Sequence, residues 1–448
     1  MSGQAPARFD AVTVNSVQDL SLVDGGTRRM IERRSALLGP SYRLQYSRPV
    51  HPVRAKGTRL WDASGEELLD AYNNVPCVGH ANERVVRAMS DQLSMINTNT
   101  RYLQDEVVAY AEALLSTFHP ALNRAMFVCT GSEANDLAVR VARQVTGQNG
   151  IIASQFAYHG NTSLVSSFSP AGGPGTILDR DVRLVPAPDS YRMRGIDLGE
   201  WFAAQVQAQI DDLASRGVGL AAFIVDGVFS TDGIHPADDG VLRRAAEVVR
   251  RAGGLFILDE VQSGFGRTGD HLWGYERFGI LPDLVTLGKP MANGLPVAGV
   301  VGQWDLFEDF GARVPYFNTF GGGNACIAAA HEVLNIVQDS GVLSNVATQG
   351  RRLRGEMERI LSRAGRATDV RGAGLYIGVE FSRSDPALTP DPQVTGQVVD
   401  GMREEGVLIS AAGPNGNVLK IRPPLVFDDA DADRFLSSFE RVVRRVGV

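Results

Sequence analysis

Two short apolar runs stop at residues that could do chemistry together. Gly254-Leu-Phe-Ile-Leu-Asp259 ends on a carboxylate, and Asp283-Leu-Val-Thr-Leu-Gly-Lys289-Pro290 ends on an amine. Each run is too short for a helix and rich in Leu, Val, Ile and Phe, the pattern of buried parallel strands that deliver a side chain to their carboxyl ends. In an open α/β sheet, ligands sit outside those ends, so both charges are expected to face one pocket. A desolvated lysine can form a Schiff base with an aldehyde cofactor. A carboxylate beside a pyridine nitrogen keeps that nitrogen protonated, so the ring draws electrons from a bound substrate. Lys289 and Asp259 together therefore point to pyridoxal phosphate. Alone, either has an ordinary explanation, as a surface lysine in a turn or a helix cap. A phosphate loop of the ATPase kind is excluded, because Pro290 follows the lysine and position 283 is Asp where that loop needs Gly.

Further segments offer groups that such a cofactor and its substrate need. Cys129-Thr-Gly131-Ser132-Glu-Ala-Asn135 reads as a strand, a turn and a helix start, whose free amides and dipole make an anion site. Gly131 admits close approach and Ser132 adds a hydroxyl, although Ser132 would equally serve as an ordinary N-cap. Tyr158 and His159 follow the next strand at the same edge. The tyrosine could stack on a flat ring; a core tyrosine and a satisfied buried imidazole are the plain alternatives. Phe317-Asn-Thr319-Phe-Gly321-Gly-Gly323-Asn324 is a Gly-rich turn opening a helix, suited to phosphate or to a hinge. In Lys420-Ile-Arg422-Pro-Pro, Arg422 ends an apolar strand, where a guanidinium suits capture of a carboxylate or phosphate, or a structural ion pair.

The elements that must hold these residues follow from periodicity. Short apolar runs at 125–130, 150–154, 182–185, 221–226, 255–259, 284–287 and 298–301 alternate with helical stretches. That order predicts a mostly parallel sheet flanked by helices. Before it come a helix over 26–39, a meander over 54–71 and a helical stretch over 84–116, with Val85, Val86, Met89 and Leu93 on one face. After it come helices over 323–339 and from about 344, strands near 369–381 and 419–422, and closing helices. We expect an α/β protein: residues 1–75 as an N-terminal tail and part of a small domain, 76–328 as a large cofactor-binding domain, and 329–448 as the rest of the small α+β domain. Residues 1–25 are expected to be a mobile or partner-covering tail.

Net charge is −7 with no block of like charge, so neither nucleic acid nor an anionic membrane is an expected partner. No apolar run approaches the roughly 20 residues of a transmembrane helix, and the first segment holds no apolar core for a secretory signal. Cys77, Cys129 and Cys326 have no metal-ligand spacing. They read as small buried residues of a reducing compartment, which makes the cytoplasm the expected location.

In order and spacing, Thr130-Gly-Ser-Glu-Ala-Asn135, Tyr158-His-Gly160, Leu258-Asp-Glu-Val-Gln262, Phe265-Gly-Arg-Thr-Gly269, the Lys289 turn, Asn318-Thr-Phe-Gly-Gly322 and Arg422 resemble the class III pyridoxal-phosphate-dependent aminotransferases of fold type I. The resemblance runs from about Arg54 to the chain's end. It implies that Lys289 holds the cofactor and shuttles a proton, Asp259 pairs with the ring nitrogen, and Gln262 bonds the ring hydroxyl. Val261 and Tyr158 would cover the two ring faces, and Gly131 and Ser132 would hold the phosphate. Thr319 would reach the phosphate of a neighbouring subunit, which makes a homodimer the working expectation, and Arg422 would bind a substrate carboxylate. There are two departures. Asp226-Gly227 occupies the place of Glu-Pro in many relatives, changing the charge contact of Asp226 on the cofactor's outer side, and Gly323-Asn324 replaces Asn-Pro.

Two reactions are then open once Lys289 removes a proton from the carbon bearing the amine. Reprotonation on the cofactor gives transamination, from an amino acid or amine to a 2-oxo acid such as pyruvate. Loss of a group from the next carbon gives elimination. On sequence, transamination ranks first. Yet Asp70-Ala-Tyr-Asn-Asn-Val75, Asn97-Thr-Asn-Thr-Arg-Tyr102, Pro188-Asp-Ser-Tyr-Arg192 and Ala412-Gly-Pro-Asn-Gly-Asn417 resemble the ethanolamine-phosphate phospho-lyase branch of the same family. A lyase needs cations around a departing phosphate, for which Arg43, Arg101 and Arg192 are candidates. A non-catalytic cofactor-binding protein is a third alternative, disfavoured because binding alone needs no electron sink.

Overall fold

The computed structural model describes residues 19–237, 240–339, 341–363 and 365–448; most of the expected N-terminal tail lies outside them. All seven expected strands form one sheet, in the order Arg124–Val128, Ala298–Gly302, Leu284–Leu287, Leu255–Asp259, Leu220–Val225, Gly150–Ser154, Val182–Val185. Only Ala298–Gly302 runs against its neighbours, so the sheet is mostly parallel. The inner strands are largely apolar because both faces are covered. Ile224 and Ile257 pack with Leu137 and Val141 of the helix Gly131–Thr146. Their neighbours Phe223, Val225, Phe256 and Leu258 pack on the opposite side with Phe202 and Val206 of Leu198–Ser215 and with Val249 of Val241–Arg251.

The chain's two ends meet in a second sheet. Strands Pro52–Lys56, Arg59–Asp62 and Glu67–Asp70 form the expected meander, and Val407–Leu408 joins it parallel to Glu67–Asp70. A third, antiparallel sheet contains Ala367–Ala373, Tyr376–Ser382, Val418–Ile421 and Ser410–Ala412. Where Val418–Ile421 ends, the Arg422 amide donates to the Ala71 carbonyl at 2.8 Å, which ties this strand end to the meander.

The helical stretch expected over 84–116 is two helices, Glu83–Met95 and Asp105–Leu115. Between them polar side chains bond backbone instead, as Asn and Thr tend to do. Thr98 N–H donates to Asn324 Oδ1 at 2.9 Å, and Asn97 Oδ1 accepts from Ala325 N–H at 3.2 Å. The start of the helix Asn324–Gln338 is thereby satisfied from outside. Of the face predicted on the first helix, Val85 is buried, but Val86 and Leu93 are 54% and 51% exposed. Among the described residues no helix is long and apolar enough to cross a membrane.

Candidate active site

Strands Leu255–Asp259 and Leu284–Leu287 are adjacent and parallel, with Asp259 opposite Thr286. Their carboxyl ends therefore bring Asp259 and Lys289 to one edge. Lys289 adopts a φ of +32°, in the left-handed region that side chains rarely occupy and that surrounding structure must enforce. Gly131, Ser132, Tyr158, Asp226, Asp259, Val261, Gln262 and Lys289 line one cavity of about 250 Å³, joined by His159 and Gly160. Eight of the ten expected site residues thus converge. Arg422 stands next to them, its guanidinium donating to Gln262 Oε1 and lying over the Tyr72 and Tyr376 rings at 4.8 and 5.8 Å. Thr319 does not join them; it lines a separate pocket with Asn97, Thr98, Asn99 and Phe320.

Asp259 is buried and held by three donors. His159 Nδ1 lies 2.7 Å from Oδ2, Asn135 Nδ2 donates to the same oxygen at 2.9 Å, and the Val261 amide donates to Oδ1 at 3.0 Å. Asn135 is fixed in turn by the Thr286 hydroxyl at 2.6 Å. Burial pushes the Asp259 carboxyl up, but the His159 bond and charge, the Val261 amide and Lys289 outweigh it, so the group is held below its ordinary value. This strand end therefore keeps an anion in the cavity. Burial lowers the Lys289 amine, with Arg422 adding to the effect and Asp259 and Asp226 opposing it. A lysine so placed holds more of its amine unprotonated near neutral pH than an exposed one, and so is more readily available as a nucleophile.

The helix Gly131–Thr146 presents its first turn to the same cavity. Its N-cap is Thr130, whose hydroxyl accepts from Glu133 N–H at 3.1 Å. Ser132, the plain alternative as the cap, is thus left to face the cavity, exchanging bonds with Asn161 at 3.1 and 3.2 Å. A methyl on Gly131 would stand 3.1 Å from both Val261 γ-carbons, so any larger residue there would press on Val261 in the cavity wall. Asp226 accepts from Val228 N–H at 2.9 Å and Ser230 N–H at 3.0 Å, and is raised by burial and by the Asp259 charge. The departure at Gly227 has a packing reason, since any Cβ there would overlap the Phe278 ring.

Sequence reasoning missed Lys420. Lys420 and Arg422 are 8% and 6% exposed and, two residues apart at one strand end, point to the same side. Burial, Arg422 and Lys289 push the Lys420 amine well below its ordinary value, against the pull of Asp226. Strand alternation was the available signal. His159, set aside as a satisfied imidazole, instead orients Asp259, while among the described residues its buried Nε2 has no partner. The expected phosphate cations lie elsewhere. Arg192 bonds Asp189 and Glu380 at 2.9 and 2.5 Å, Arg101 lies 3.8 Å over Phe317, and Arg43 is exposed. Cys77 is buried, but Cys129 and Cys326 are only partly so.

These residues fit pyridoxal phosphate. Val261 and Tyr158 line the cavity with the Asp259 carboxylate, the helix start at Gly131 and Ser132 offers amides and a hydroxyl, and the Lys289 amine, with no carboxylate bond among the described residues, lies in the same wall. Among the described residues no group of three His, Cys, Asp or Glu is placed to hold a metal.

The comparisons agree with this geometry. The protein-family model described as Aminotransferase class-III matches residues 43–443. A Drosophila melanogaster protein named alanine–glyoxylate aminotransferase 2-like is 37% identical over 93% of this chain and 87% of its own length. Ethanolamine-phosphate phospho-lyase homolog 1 of Caenorhabditis elegans is 33% identical over 92% of this chain and 93% of its own. A phospholyase from Arthrobacter, solved in complex with phosphoethanolamine, superposes with a TM-score of 0.90 at 43% identity, over 93% of this chain and 99% of that one. The protein therefore belongs to the class III aminotransferase family, with its fold type I architecture, and is a pyridoxal-phosphate-dependent enzyme.

Proposed function

We propose that the enzyme eliminates phosphate from a small amino-alkyl phosphate such as O-phosphoethanolamine. The reading is carried by Lys420 and Arg422, two buried basic side chains at one strand end with no carboxylate bonded to either among the described residues, both acting electrostatically on Lys289 or on each other. Buried charge without a partner is costly, and a dianionic substrate group supplies the missing counter-charge. The likeness to the Arthrobacter phospholyase supports the same choice, which reverses the order inferred from sequence.

When bound, the cofactor supplies an electron sink. Lys289 takes the proton from the amine-bearing carbon. The C–O bond at the next carbon then breaks, its electron pair leaving with phosphate, which Lys420 and Arg422 receive. Water completes the release of aldehyde and ammonia. Asp259, held by His159 and Asn135, would pair with the ring nitrogen; Gln262, whose Oε1 is taken by Arg422 and Tyr376, would have its Nε2 left for the ring hydroxyl. Gly131 and Ser132 would hold the cofactor's phosphate, Val261 and Tyr158 the ring faces, and Asp226 the outer side.

Thr319 acts in the site of a second subunit in this proposal. A homodimer is supported by Phe320, 77% exposed in the lining of this pocket, and by Met95 and Leu103, 73% and 101% exposed on either side in sequence of the Asn97, Thr98 and Asn99 that line it. The division into a domain of residues 76–328 and a smaller one from both ends belongs to the same proposal, supported by the sheet the two ends share. So does a cytoplasmic location, with which three free cysteines agree.

Transamination is the second reading, favoured by the name of the Drosophila relative and by the planar fork of Arg422, which suits a carboxylate equally well. The test is to supply O-phosphoethanolamine without any oxo acid. Continuous release of inorganic phosphate supports elimination. No phosphate, together with amino transfer from an amine to pyruvate, replaces it with transamination.

A further inference from the structure

Lys420 is an unusual lysine. It is 8% exposed, and its amine makes no hydrogen bond or ion pair among the described residues. Arg422 lies two residues on, and both side chains sit over the Tyr376 ring, the Lys420 amine at 5.9 Å and the Arg422 guanidinium at 5.8 Å, with Lys289 acting on the amine electrostatically. The groups facing its amine are Arg422, Lys289, Asp226 at the end of Leu220–Val225, and the Tyr376 ring on the neighbouring strand, 5.9 Å away. Of these only Asp226 is an acid, and its carboxylate is engaged by the Val228 and Ser230 amides. Arg422 is clamped between Tyr72 and Tyr376 and bonded to Gln262, so it cannot swing away to relieve the repulsion.

A buried ammonium beside a fixed guanidinium is disfavoured twice, by desolvation and by like charge. An anion arriving between the two reverses both terms. It hydrogen-bonds the amine in its charged form and screens it from Arg422.

We propose that Lys420 is a proton-linked anion receptor: it stands neutral in the free holoenzyme and takes up one proton when the anionic group of a substrate docks beside Arg422. This rests on the reading that substrates carry an anion at that end, and it adds how the site selects them. An uncharged amine leaves Lys420 neutral and gains nothing from it. An amine bearing phosphate or carboxylate recruits a second cation at the moment of binding, the proton coming from solvent. The chain thereby has two buried lysines with separate tasks, Lys289 at the reacting carbon and Lys420 at the far end.

The test is calorimetric titration of the holoenzyme with sulfate, an unreactive dianion, near neutral pH in two buffers of different ionisation enthalpy. Acetate serves as the carboxylate arm. We expect uptake of about one proton per sulfate bound. Lys420→Arg, charged throughout, should bind sulfate with uptake near zero, and Lys420→Met should bind it about tenfold to a hundredfold more weakly. If Lys420→Met loses its cofactor, the Arg variant decides alone. Wild-type enzyme that binds sulfate without proton uptake, or not at all, overturns the proposal, as does equal uptake in Lys420→Arg. Proton uptake without phosphate release from O-phosphoethanolamine would keep this inference and remove the lyase assignment.

Discussion

Gly131→Ala separates folding from cofactor binding. Gly131 opens the helix Gly131–Thr146, so an alanine meets no left-handed backbone and gains up to about 1 kcal/mol of helix propensity. Its Cβ, however, would lie 3.1 Å from both γ-carbons of Val261, inside ordinary contact distance. Val261 is 6% exposed and lines the cavity, so the direction open to it is toward the cofactor ring. Overpacking of this kind costs about 1–3 kcal/mol. Part of that is offset by propensity in the apoenzyme, whereas the rest falls on the complex with cofactor. The expected result is an apoenzyme melting within a few degrees of wild type and cofactor affinity about five- to thirtyfold weaker, from about 1–2 kcal/mol. Apoenzyme is titrated with pyridoxal phosphate and followed by its absorbance. Removing the γ-methyls with Val261→Ala in the same chain should recover much of the loss, because the two side chains are in contact. Unchanged affinity in Gly131→Ala, or no recovery in the double variant, would show that this close approach does not shape the cofactor slot.

Other consequences are as specific. His159→Phe removes the 2.7 Å partner of Asp259; the carboxyl, no longer held down, should move the acid limb of the kcat/KM profile up by about one to two pH units. An unmoved limb contradicts the role given to His159. Asp232, whose oxygens accept from Ser154 at 2.6 Å and Phe156 N–H at 2.9 Å, is raised by burial from 3.8 to about 7. The folded state then keeps a proton that the unfolded chain releases, so this group's contribution falls by about 1.4 kcal/mol per pH unit between those values and levels off above them. Asp232→Asn should lack that slope, and thermal midpoints with parallel pH dependence in the two proteins would refute it. Arg192→Ala should cost about 1 kcal/mol of stability, since its ion pairs are partly exposed, and leave the preference for anionic substrates intact; losing that preference would return Arg192 to the substrate site.

Much of the fold was legible because the strands of this sheet are short apolar runs that stop where they deliver charge. The same rule located Asp259 and Lys289 without any knowledge of their 30-residue separation in the chain being spanned by a parallel crossover. What escaped depends on long-range pairing. Asn135 reaches Asp259 across 124 positions and Arg192 reaches Glu380 across 188, and nothing local marks either. Lys420 was hidden among Val418, Leu419 and Ile421, although alternation pairs it with Arg422. The plain reading puts the N-cap at Ser132, whereas Thr130 has the extended backbone and its hydroxyl accepts from the Glu133 amide, a distinction local residue type does not make. The break at 96–104 came from side chains that bond a distant helix start.

The most direct test of the account uses the presence of two buried lysines whose amines are both lowered, Lys289 and Lys420. Holoenzyme is reduced with borohydride to fix the cofactor where it is attached, then digested and its peptides weighed. The cofactor's mass on the peptide containing Lys289, with Lys420 unmodified, is the expected result. Its mass on Lys420, or on neither, would contradict the assignment on which the chemistry depends.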